Sequence, residues 1–461
     1  MIPLPLRELA AIVGGTVHGD GDVTVDVVAT DSRALPDGRP LFVALRSDRA
    51  DGHAFTGAAV TGGAVAVLAE RAPVDGGVPT VEVGDTWRAL RALAGEVRRR
   101  IAPRTVAVTG SVGKTTVKDL TAAALATAAP TVASVGSFNN ELGVPLTLLA
   151  LEPRHEMLVA EIGARHVGDI ADLAPLVAPD VSVVTAVAGV HLEVFGSIEA
   201  VATAKSELVQ ALRPDGVAVL NADDPRVAAM ADLAPRARTY GLERPADVTA
   251  RDLVLDERAR PRFVAVTPWG EVEVAVPIAG RHQASNALAA LTAAGELGID
   301  LEAAAAGLAG ATVSRWRAEV HEGLAGSTVL NDAYNANPTS VVAAIDTLLT
   351  LAARGRAVAV LGEMAEIGDD HDREHERVGR VVAERGVQHL VVVGDRARGL
   401  ADGARAAGLD AVTVVADADE ALAAATAVLR EGDVVLVKAS RVAGLERVAA
   451  GLTPGPEVHT P

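Results

Sequence analysis

A short glycine-rich segment between an apolar run and a helical pattern carries the strongest chemical signal in this sequence. The run Thr105–Val108 leads into Thr109-Gly110-Ser111-Val112-Gly113-Lys114-Thr115-Thr116, and a helical pattern follows. Backbone N–H groups of such a loop, together with the positive end of the helix, hold phosphate oxygens. Lys114 is placed to contact the β- and γ-phosphates, and the Thr115 hydroxyl to bind Mg²⁺. The segment therefore predicts a binding site for ATP.

This loop departs from the general phosphate-loop pattern in one respect. The pattern has a glycine six residues before the lysine, and Val108 stands there instead. The sequence thus predicts a tighter variant that uses only Gly110 and Gly113. An ordinary glycine turn that opens a helix is the alternative, but the preceding strand and the Gly-Lys-Thr-Thr ending favour phosphate binding.

Two further polar residues follow predicted strands. Glu161 ends the strand Met157–Glu161, and His191 comes after the strand Val181–Val187. Because residues just past the carboxyl ends of parallel strands meet in one crevice, both are candidates to bind Mg²⁺ with Thr115. Carboxylate is the usual ligand for Mg²⁺, and histidine is a less usual one. A helix-capping Glu161 and a loop histidine without a ligand are the open alternative.

The balance of basic residues singles out four positions. Of 42 basic residues, 38 are Arg and only four are Lys, namely Lys114, Lys118, Lys205 and Lys438. Positions that keep Lys despite this bias are candidates for a role that needs a compact amine able to lose its proton, which Arg cannot supply. Lys205 falls in the stretch Leu192–Leu212, which is predicted to be largely helical. Its side chain is either on a solvated helix face or a partly buried amine near the ATP.

An asparagine-rich segment follows the strand predicted at Ser327–Leu330. It reads Asn331-Asp332-Ala333-Tyr334-Asn335-Ala336-Asn337-Pro338 and holds three of the seven Asn and one of the two Tyr. Such segments are often turns and helix caps, but dense polar side chains after a strand also suit ligand recognition. His371 and His375 are four residues apart among acidic residues. There a solvated helix start is favoured over a metal site.

The elements that must position these residues predict an α/β protein with three domains. A small α/β N-domain covers residues 1–102 and ends in a helix at Thr86–Arg100. Pro103 marks the boundary to the next domain. A central P-loop ATPase domain with a mainly parallel sheet covers 103–318. A C-terminal Rossmann-like domain with an open, doubly wound sheet covers 319–461.

Composition excludes several classes of protein. The net charge is −18 with a pI of about 5.1, and no basic run exceeds Arg98–Arg100, which excludes a nucleic-acid footprint. The absence of Cys excludes disulfides and thiolate chemistry. The segment Met1–Glu8 is a poor signal peptide, and no uncharged apolar run reaches the roughly 18 residues of a membrane helix. We therefore expect a cytoplasmic protein without membrane insertion, and a monomer.

Together these segments resemble the Mur ligase family of cytoplasmic peptidoglycan synthesis, and the likeness spans nearly the whole chain. The resemblance is carried, besides the phosphate loop, by Asp31-Ser32-Arg33, Leu41–Leu45, Asp51–Phe55, Phe138–Pro145, His191–Glu193 with Phe195-Gly196, Lys205, Asn221–Pro225, His282 with Asn286, Asp332–Pro338 and Lys438–Arg441. Three of the four Lys and six of the seven Asn fall within these segments. Gln283 replaces a common Asn, and Ala333 a common Ser.

The resemblance implies a role for each matched residue. Catalytic roles fall on Lys114, His191 and Lys205. The implied ATP-binding set is Gly110 through Thr116 with His282, Asn286, Arg317 and Asp332, and the implied substrate-binding set is Ser32, Arg33, Asn139, Asn140, Tyr334, Asn335 and Asn337. The implied magnesium ligands are Thr115, Glu161, His191 and a carbamate on Lys205.

The resemblance also implies a reaction, in which an ATP-dependent ligase forms an amide bond through an acyl phosphate. The segment Asp332–Pro338 is most typical of the member that joins D-alanyl-D-alanine to UDP-N-acetylmuramoyl-tripeptide. The member that adds the third amino acid carries an Asp-Asn-Pro-Arg motif, which is absent here. Folylpolyglutamate synthase has its phosphate loop close to the N-terminus. A P-loop ATPase that does not ligate would need neither the N-terminal segments nor the Asn-rich one.

Overall fold

The computed structural model describes residues 1–48, 50–72, 77–190 and 192–454. Its internal contacts divide the chain into two compact units. The first unit comprises Met1–Ala107, Ala129–Ile162 and Ala171–Asp180, and the second comprises Val108–Ala128, Gly163–Ile170 and Val181–Pro461. The predicted domain boundaries after residues 102 and 318 stay predictions.

The N-terminal region, within the first unit, is a small α/β sheet structure. Its elements are β1 (Leu4–Pro5), α1 (Leu6–Val13), β2 (Thr16–His18), β3 (Thr24–Val25), β4 (Val27–Ala29), β5 (Pro40–Val43), α2 (Thr56–Thr61), β6 (Ala66–Ala69), β7 (Thr80–Glu82) and α3 (Thr86–Ile101). The sheet order is β2-β7-β6-β5-β4, with β4 to β7 parallel and β2 antiparallel at the edge. Helix α3 starts at the cap Asp85 and buries Leu90, Leu93 and Val97 in the core, which confirms the predicted helix.

The following region alternates strands and helices as the sequence predicts. Its elements are β8 (Arg104–Thr109), α4 (Lys114–Ala126), β9 (Thr131–Ala133), α5 (Gly143–Leu149), β10 (Met157–Glu161), α6 (Asp169–Val177), β11 (Val181–Val184), α7 (Leu192–Phe195), α8 (Ile198–Gln210), β12 (Val217–Asn221), α9 (Pro225–Ala228), β13 (Ala237–Tyr240), β14 (Thr249–Leu255), β15 (Pro261–Thr267), β16 (Gly270–Ala275), α10 (Gln283–Glu296) and α11 (Leu301–Ala309). In the first unit β9 and β10 are parallel, and in the second β11, β12 and β13 are parallel. The strands β15 and β16 are antiparallel and form a hairpin.

One predicted helix is broken in two. The sequence indicates a single, largely helical stretch over Leu192–Leu212, but α7 ends at Phe195 and α8 begins at Ile198. Gly196 between them has φ +76°, a left-handed conformation that glycine adopts without strain. Ser197 then caps α8, since its side chain accepts a hydrogen bond from the N–H of Ala200. The restart fixes the direction of the helix that carries Lys205.

The C-terminal region has the open sheet that the sequence predicts. Its elements are β17 (Glu319–Glu322), β18 (Thr328–Asn331), α12 (Pro338–Leu351), β19 (Ala357–Gly362), α13 (His371–Glu384), β20 (His389–Val393), α14 (Arg398–Ala406), β21 (Val412–Val415), α15 (Ala418–Val428), β22 (Val434–Lys438) and α16 (Glu446–Leu452). The order is β17-β18-β22-β19-β20-β21, parallel except for β17. Buried side chains form a separate apolar cluster on each face of this sheet.

The mixed α/β class with parallel sheets is thus confirmed. Loops that follow β18, β19 and β22 meet at the carboxyl edge of the C-terminal sheet, where ligands bind in folds of this kind. Among the described residues, no helix combines the length and the apolar character that crossing a membrane requires.

Candidate active site

The phosphate loop has a backbone that only glycine can supply at two positions. Gly110 has φ +143° and Gly113 has φ +83°. A Cβ on Gly110 would lie 2.0 Å from Oγ1 of Thr185, and one on Gly113 would lie 2.7 Å from Oδ1 of Asn286. Both glycines therefore serve the loop by backbone freedom and by close packing. Because Gly110 and Gly113 are only three residues apart, α4 begins at Lys114, directly after the loop. A helix N-terminus in this position is suited to hold phosphate.

The loop is fixed by residues that follow β11. Ser111 donates its hydroxyl to the carbonyl of Ala188 at 3.0 Å and accepts the Ala188 N–H at 2.9 Å. The hydroxyl of Thr185 donates to the carbonyl of Val112 at 2.5 Å, and the Thr185 N–H bonds Thr109 at 3.0 Å. Sequence reasoning missed Thr185 because nothing in its local pattern marks a threonine as a loop anchor.

The first turn of α4 carries the predicted phosphate and metal side chains. Lys114 Nζ donates to the carbonyl of Gly110 at 2.7 Å, so its ammonium lies over the loop. Thr115 and Thr116 are buried, at 3% and 6% exposure. Oγ1 of Thr115 accepts a hydrogen bond from Nη2 of Arg317 at 2.9 Å. The structure therefore places Arg317 beside the phosphate loop, and its implied role in ATP binding stays a prediction.

Lys205 is a buried amine. Its side chain is 2% exposed on α8, so the alternative of a solvated helix face is wrong. Burial and, less strongly, the positive charge of Lys114 lower the pKa of this amine to about 7, while Asp169 and Glu207 oppose the shift. Nζ lies 5.8 Å from the ring centroid of Phe195. A large fraction of the side chains is therefore neutral near pH 7.

Glu161, in the first unit, is a buried carboxylate with one unused oxygen. The side chain is 0% exposed at the end of β10, and Oε1 accepts a hydrogen bond from Nδ2 of Asn139 at 2.6 Å. In the described part of the chain no donor reaches Oε2. A buried carboxylate oxygen without a donor is unfavourable unless a cation compensates it. The neighbouring Asn140 holds a turn, because its Oδ1 accepts the N–H of Gly143 at 2.9 Å.

His191 lies outside the described residues, so the predicted metal ligand has no geometry here. The chain on either side is described: Val190 precedes it, and α7 begins at Leu192. The role of His191 stays a prediction.

His282 and Asn286, which the resemblance places in the ATP-binding set, form a connected group with Gln283 at the start of α10. Nδ2 of Asn286 donates to Oε1 of Gln283 at 2.7 Å, and Nε2 of Gln283 is 2.9 Å from Nε2 of His282. Gln283 is buried, and the side chain of Asn286 is the group that packs against Gly113. The glutamine that replaces a common Asn thus orients Asn286 toward the phosphate loop.

Arg317 and Asp332 lie where the chain enters the C-terminal region. The guanidinium of Arg317 is 4.2 Å from the ring centroid of Tyr334, a cation–π distance. Oδ2 of Asp332 accepts a hydrogen bond from Nζ of the buried Lys438 at 2.5 Å, and Oδ1 accepts the N–H of Ala318 at 3.2 Å. Asp332 therefore fixes the segment beside Arg317.

Asn335 and Asn337 of the asparagine-rich segment take part in local backbone hydrogen bonds. Asn337 is 9% exposed and forms a capping box with Ser340 at the start of α12. Asn335 is exposed, and its carbonyl accepts a hydrogen bond from Lys438 at 2.8 Å. The turn-and-cap alternative thus describes Asn337, while Tyr334 and the Asn335 side chain keep surfaces that could face a ligand.

The predicted nucleotide-sugar residues lie in the first unit. Ser32 is half-buried, and Arg33 is largely exposed. Arg33 donates to both carboxylate oxygens of Asp31 at 2.9 and 2.7 Å, and these bonds lower the pKa of Asp31 to about 2. The side chain of Arg33 therefore folds back onto Asp31.

His375 contradicts the prediction of a solvated helix start. Its ring is 0% exposed within α13, and burial lowers its pKa. Nε2 accepts the N–H of Met364 at 2.9 Å, and Nδ1 lies 2.7 Å from the carbonyl of His371, to which it donates. The acidic neighbours in sequence face outward, whereas the histidine is turned inward to hold a loop. Sequence reasoning missed this because the acidic neighbours of His375 in the sequence indicate an exposed helix start.

A phosphate loop, a buried amine on α8 and a doubly wound C-terminal sheet define an ATP-dependent ligase of the Mur type. The chain belongs to the Mur ligase family: residues 108–294 match the model of the Mur ligase middle domain, and residues 316–441 match that of the Mur ligase, glutamate ligase domain.

Individual relatives can also be named. The chain is 43% identical to the UDP-N-acetylmuramoyl-tripeptide--D-alanyl-D-alanine ligase of Mycobacterium tuberculosis, over 98% of both chains. A crystal structure of MurF from Acinetobacter baumannii is similar with a TM-score of 0.89 and 32% identity, covering 98% of each chain. MurF ligase from Thermotoga maritima in complex with ADP is similar with a TM-score of 0.80 and 27% identity, covering 93% of this chain and 97% of that one.

Proposed function

We propose that this protein joins D-alanyl-D-alanine to UDP-N-acetylmuramoyl-tripeptide and converts ATP to ADP and phosphate. The observation that carries the proposal is the buried, low-pKa amine of Lys205 on the helix that follows the phosphate loop and the metal-ligand segments. Relatives that match over 98% of both chains are named for this reaction. The third amino acid of the tripeptide is left open between diaminopimelate and lysine.

The reaction has two balanced steps. A carboxylate oxygen of the tripeptide attacks the γ-phosphorus of ATP, and ADP leaves, which gives an acyl phosphate. The amine of the dipeptide then attacks the acyl carbon, the bond to the phosphate oxygen breaks, and phosphate and one proton are released. The first step brings two anionic groups together and the second passes through an anionic tetrahedral intermediate, so catalysis consists mostly of charge neutralisation and positioning.

The cationic side chains are placed for that task. Lys114 lies over the phosphate loop, and Arg317 reaches the same loop through Thr115. The N–H groups at the start of α4 add donors that point to the phosphates. We assign Lys114 to the β- and γ-phosphates, and Arg317 to the charge that develops during transfer. His282, Asn286 and Asp332 are assigned to the nucleoside side of the ATP.

We propose Mg²⁺ as the cofactor. The unused buried oxygen of Glu161 fits a divalent cation, as does the hydroxyl of Thr115 at the end of the phosphate loop. When bound, Mg²⁺ supplies positive charge that neutralises phosphate and carboxylate oxygens. His191 is proposed as a further ligand from the family likeness.

Lys205 is proposed to act as a carbamate. A neutral amine adds to carbon dioxide, forms an N–C bond and releases one proton, so that a cation becomes an anionic oxygen ligand. The reaction needs the unprotonated amine, which burial of Lys205 provides near pH 7. An exposed lysine would stay protonated and would not react in this way at the same pH.

The substrate sites are assigned from the same likeness. Ser32 and Arg33 are proposed to bind the nucleotide-sugar end, and Asn139 and Asn140 the peptide side of that substrate. Tyr334, Asn335 and Asn337 are proposed to belong to the dipeptide side, with Asn337 acting through the cap of α12. The domains are proposed to end near residues 102 and 318, and the protein is proposed to act in the cytoplasm.

An assay of ADP release tests the function. We expect ADP to form only when UDP-N-acetylmuramoyl-tripeptide and D-alanyl-D-alanine are both present, with one pentapeptide product for each ADP. As a control, the corresponding dipeptide precursor with diaminopimelate or lysine tests the ligase that adds the third residue. Equal ATP turnover without D-alanyl-D-alanine would contradict the proposal.

A further inference from the structure

The loop that follows β19 carries the carboxylate of Glu366 and is anchored in the core by its neighbouring residues. We name residues 363–368 the Glu366 loop. Met364 and Ile367 are 0% and 2% exposed, so they anchor the loop in the core beneath it. The side chain of Glu366 is 34% exposed. The loop lies at the edge of the sheet where ligands bind in doubly wound folds.

The backbone of this loop is held by two buried polar side chains. His375 accepts the N–H of Met364 at 2.9 Å, and Oγ of Ser440 accepts the N–H of Ala365 at 2.8 Å. The N–H of Ser440 donates to the carbonyl of Glu363 at 2.9 Å. Three consecutive residues therefore have a backbone group fixed from behind, which leaves little freedom for the position of Glu366.

The Glu366 loop is strained where it turns. Glu366 has φ +63°, and Gly368 has φ +73°. A left-handed backbone is unfavourable for glutamate and persists only where the surroundings over-determine it. A Cβ on Gly368 would lie 3.0 Å from the backbone nitrogen of Glu193, so the turn packs directly on the start of α7. That helix begins immediately after His191 in the chain.

The carboxylate of Glu366 meets a second fixed loop. Nη2 of Arg165 donates to Oε1 of Glu366 at 2.5 Å. Oδ2 of Asp169 accepts the N–H of Arg165 at 2.8 Å, which shapes that loop. The N–H of Gly168 then donates to Oε1 of Glu207 at 2.6 Å. Glu207 lies on α8 two residues beyond Lys205, so the loop of Arg165 is fastened to the helix that carries the buried amine.

The ion pair between Arg165 and Glu366 is too exposed to contribute much to folding stability. The side chains of Arg165 and Glu366 are 64% and 34% exposed, and ion pairs this accessible contribute little to folding stability. Such a pair does not offset the backbone strain at Glu366. We therefore assign the ion pair a positional role, in which it fixes the Glu366 loop relative to the loop of Arg165.

We propose that Glu366 is a positioning residue for amide-bond formation, which rests on the proposed ligase function. Through its ion pair with Arg165, Glu366 fixes the position of the carboxyl edge of the C-terminal sheet relative to α8, the helix that carries Lys205. Attack by the dipeptide amine depends on this relative position, because a misplacement of about 1 Å between reacting groups costs on the order of a hundredfold in rate. Binding of ATP to the phosphate loop does not depend on it.

A charge-swap experiment tests the proposal. Arg165→Glu and Glu366→Arg alone are expected to lower kcat/KM for D-alanyl-D-alanine by about tenfold to a hundredfold, with KM for ATP changed less than about twofold. The double variant is expected to recover at least about tenfold, since it restores an ion pair of reversed polarity. The singles should also release ADP without matching pentapeptide, whereas a merely structural pair would lower both together.

Arg385→Glu and Asp346→Arg provide the matched control, because this pair between α12 and α13 is similarly exposed at 51% and 47%. Both controls should keep the kinetics and the thermal midpoint of the unaltered protein. Glu366→Gln, which keeps the shape of the side chain, serves if a charge reversal unfolds the protein, and should lower kcat/KM for the dipeptide. Single variants with unchanged kinetics, or a double variant with no recovery, overturn the role of Glu366. Failure of the unaltered protein to make pentapeptide overturns the proposed function instead.

Discussion

Arg317 and Thr115, 202 residues apart in the chain, are joined by a hydrogen bond of 2.9 Å from Nη2 to Oγ1. The same guanidinium lies 4.2 Å from the ring centroid of Tyr334. Residues on both sides of Arg317 adopt left-handed backbone, with φ +63° at Trp316 and +51° at Ala318. Arg317 thus links the phosphate loop to the asparagine-rich segment through a strained backbone.

Replacing Arg317 should weaken the use of ATP. Arg317→Lys keeps the charge but loses the planar fork and the stacking on Tyr334. We expect kcat/KM for ATP to fall at least tenfold, a loss of roughly 1.4 kcal/mol of transition-state stabilisation. Steady-state kinetics at varied ATP measures it. Arg354→Lys, at an exposed position, is the control and should leave the kinetics unchanged.

Gly113→Ala should damage the phosphate loop beyond the cost of backbone strain. Gly113 has φ +83° and an added Cβ would meet Asn286 at 2.7 Å, whereas Gly408 has φ +90° with nothing within 4 Å. Both alanine variants should lose on the order of 1 kcal/mol of stability. Only Gly113→Ala should also weaken nucleotide binding, by about tenfold or more. Titration calorimetry with an ATP analogue compares them, and equal affinities would show that the contact with Asn286 has no bearing on the loop.

Lys205→Ala should nearly abolish ligation, with partial recovery when short-chain carboxylates are added. The added carboxylate supplies the anionic oxygen that the proposed carbamate would provide. Removing carbon dioxide should likewise lower the activity of the unaltered protein, and bicarbonate should restore it. Full activity of Lys205→Ala would mean that the amine has no part in the reaction.

Lys205 should also set a pH dependence of stability. Its pKa is lowered to about 7 in the folded protein from an ordinary 10.5. Between these values the unfolded chain binds more protons, so stability should rise with pH across this window. Lys205→Met, in buffer free of carbon dioxide, should raise the unfolding free energy by about a few kcal/mol below pH 7 and less toward pH 10. A constant difference from pH 6 to pH 10 would contradict the lowered pKa.

His375 should make stability fall in acid. Burial is the largest cause and lowers its pKa, and the charge of the His371 ring also lowers it. The hydrogen bond to the His371 carbonyl and the charges of Glu363 and Asp372 raise it by less. The unfolded histidine therefore takes up a proton near 6.5 while the folded one does not, and stability is lost as the pH falls through this value. His375→Gln should cost about 1–3 kcal/mol at pH 8, with a smaller difference at pH 5.5. Denaturant unfolding at both values measures this, and an equal difference at both would contradict it.

Local patterns predicted the parts of the site that are local in sequence. The phosphate loop and the doubly wound sheet follow from strand, turn and helix signals within a few residues. The burial of Lys205 was left open between two alternatives, because one helix position does not reveal what packs against it. The anchor Thr185 and the pair of Arg165 with Glu366 depend on residues far apart in the chain, and acidic neighbours in the sequence mask the inward turn of His375. Lys118 shows the limit of composition, since this buried lysine forms an ion pair with Asp119 at 2.5 Å, a structural role.

Transfer of oxygen from substrate to phosphate tests the central claim most directly. UDP-N-acetylmuramoyl-tripeptide labelled with ¹⁸O in its terminal carboxylate is mixed with ATP, Mg²⁺, D-alanyl-D-alanine and the protein. If an acyl phosphate forms and the dipeptide attacks it, each pentapeptide made is accompanied by one phosphate that carries a single ¹⁸O. Phosphate without the label, or labelled phosphate without pentapeptide in the mass spectrum, would contradict the assignment as an acyl-phosphate-forming ligase.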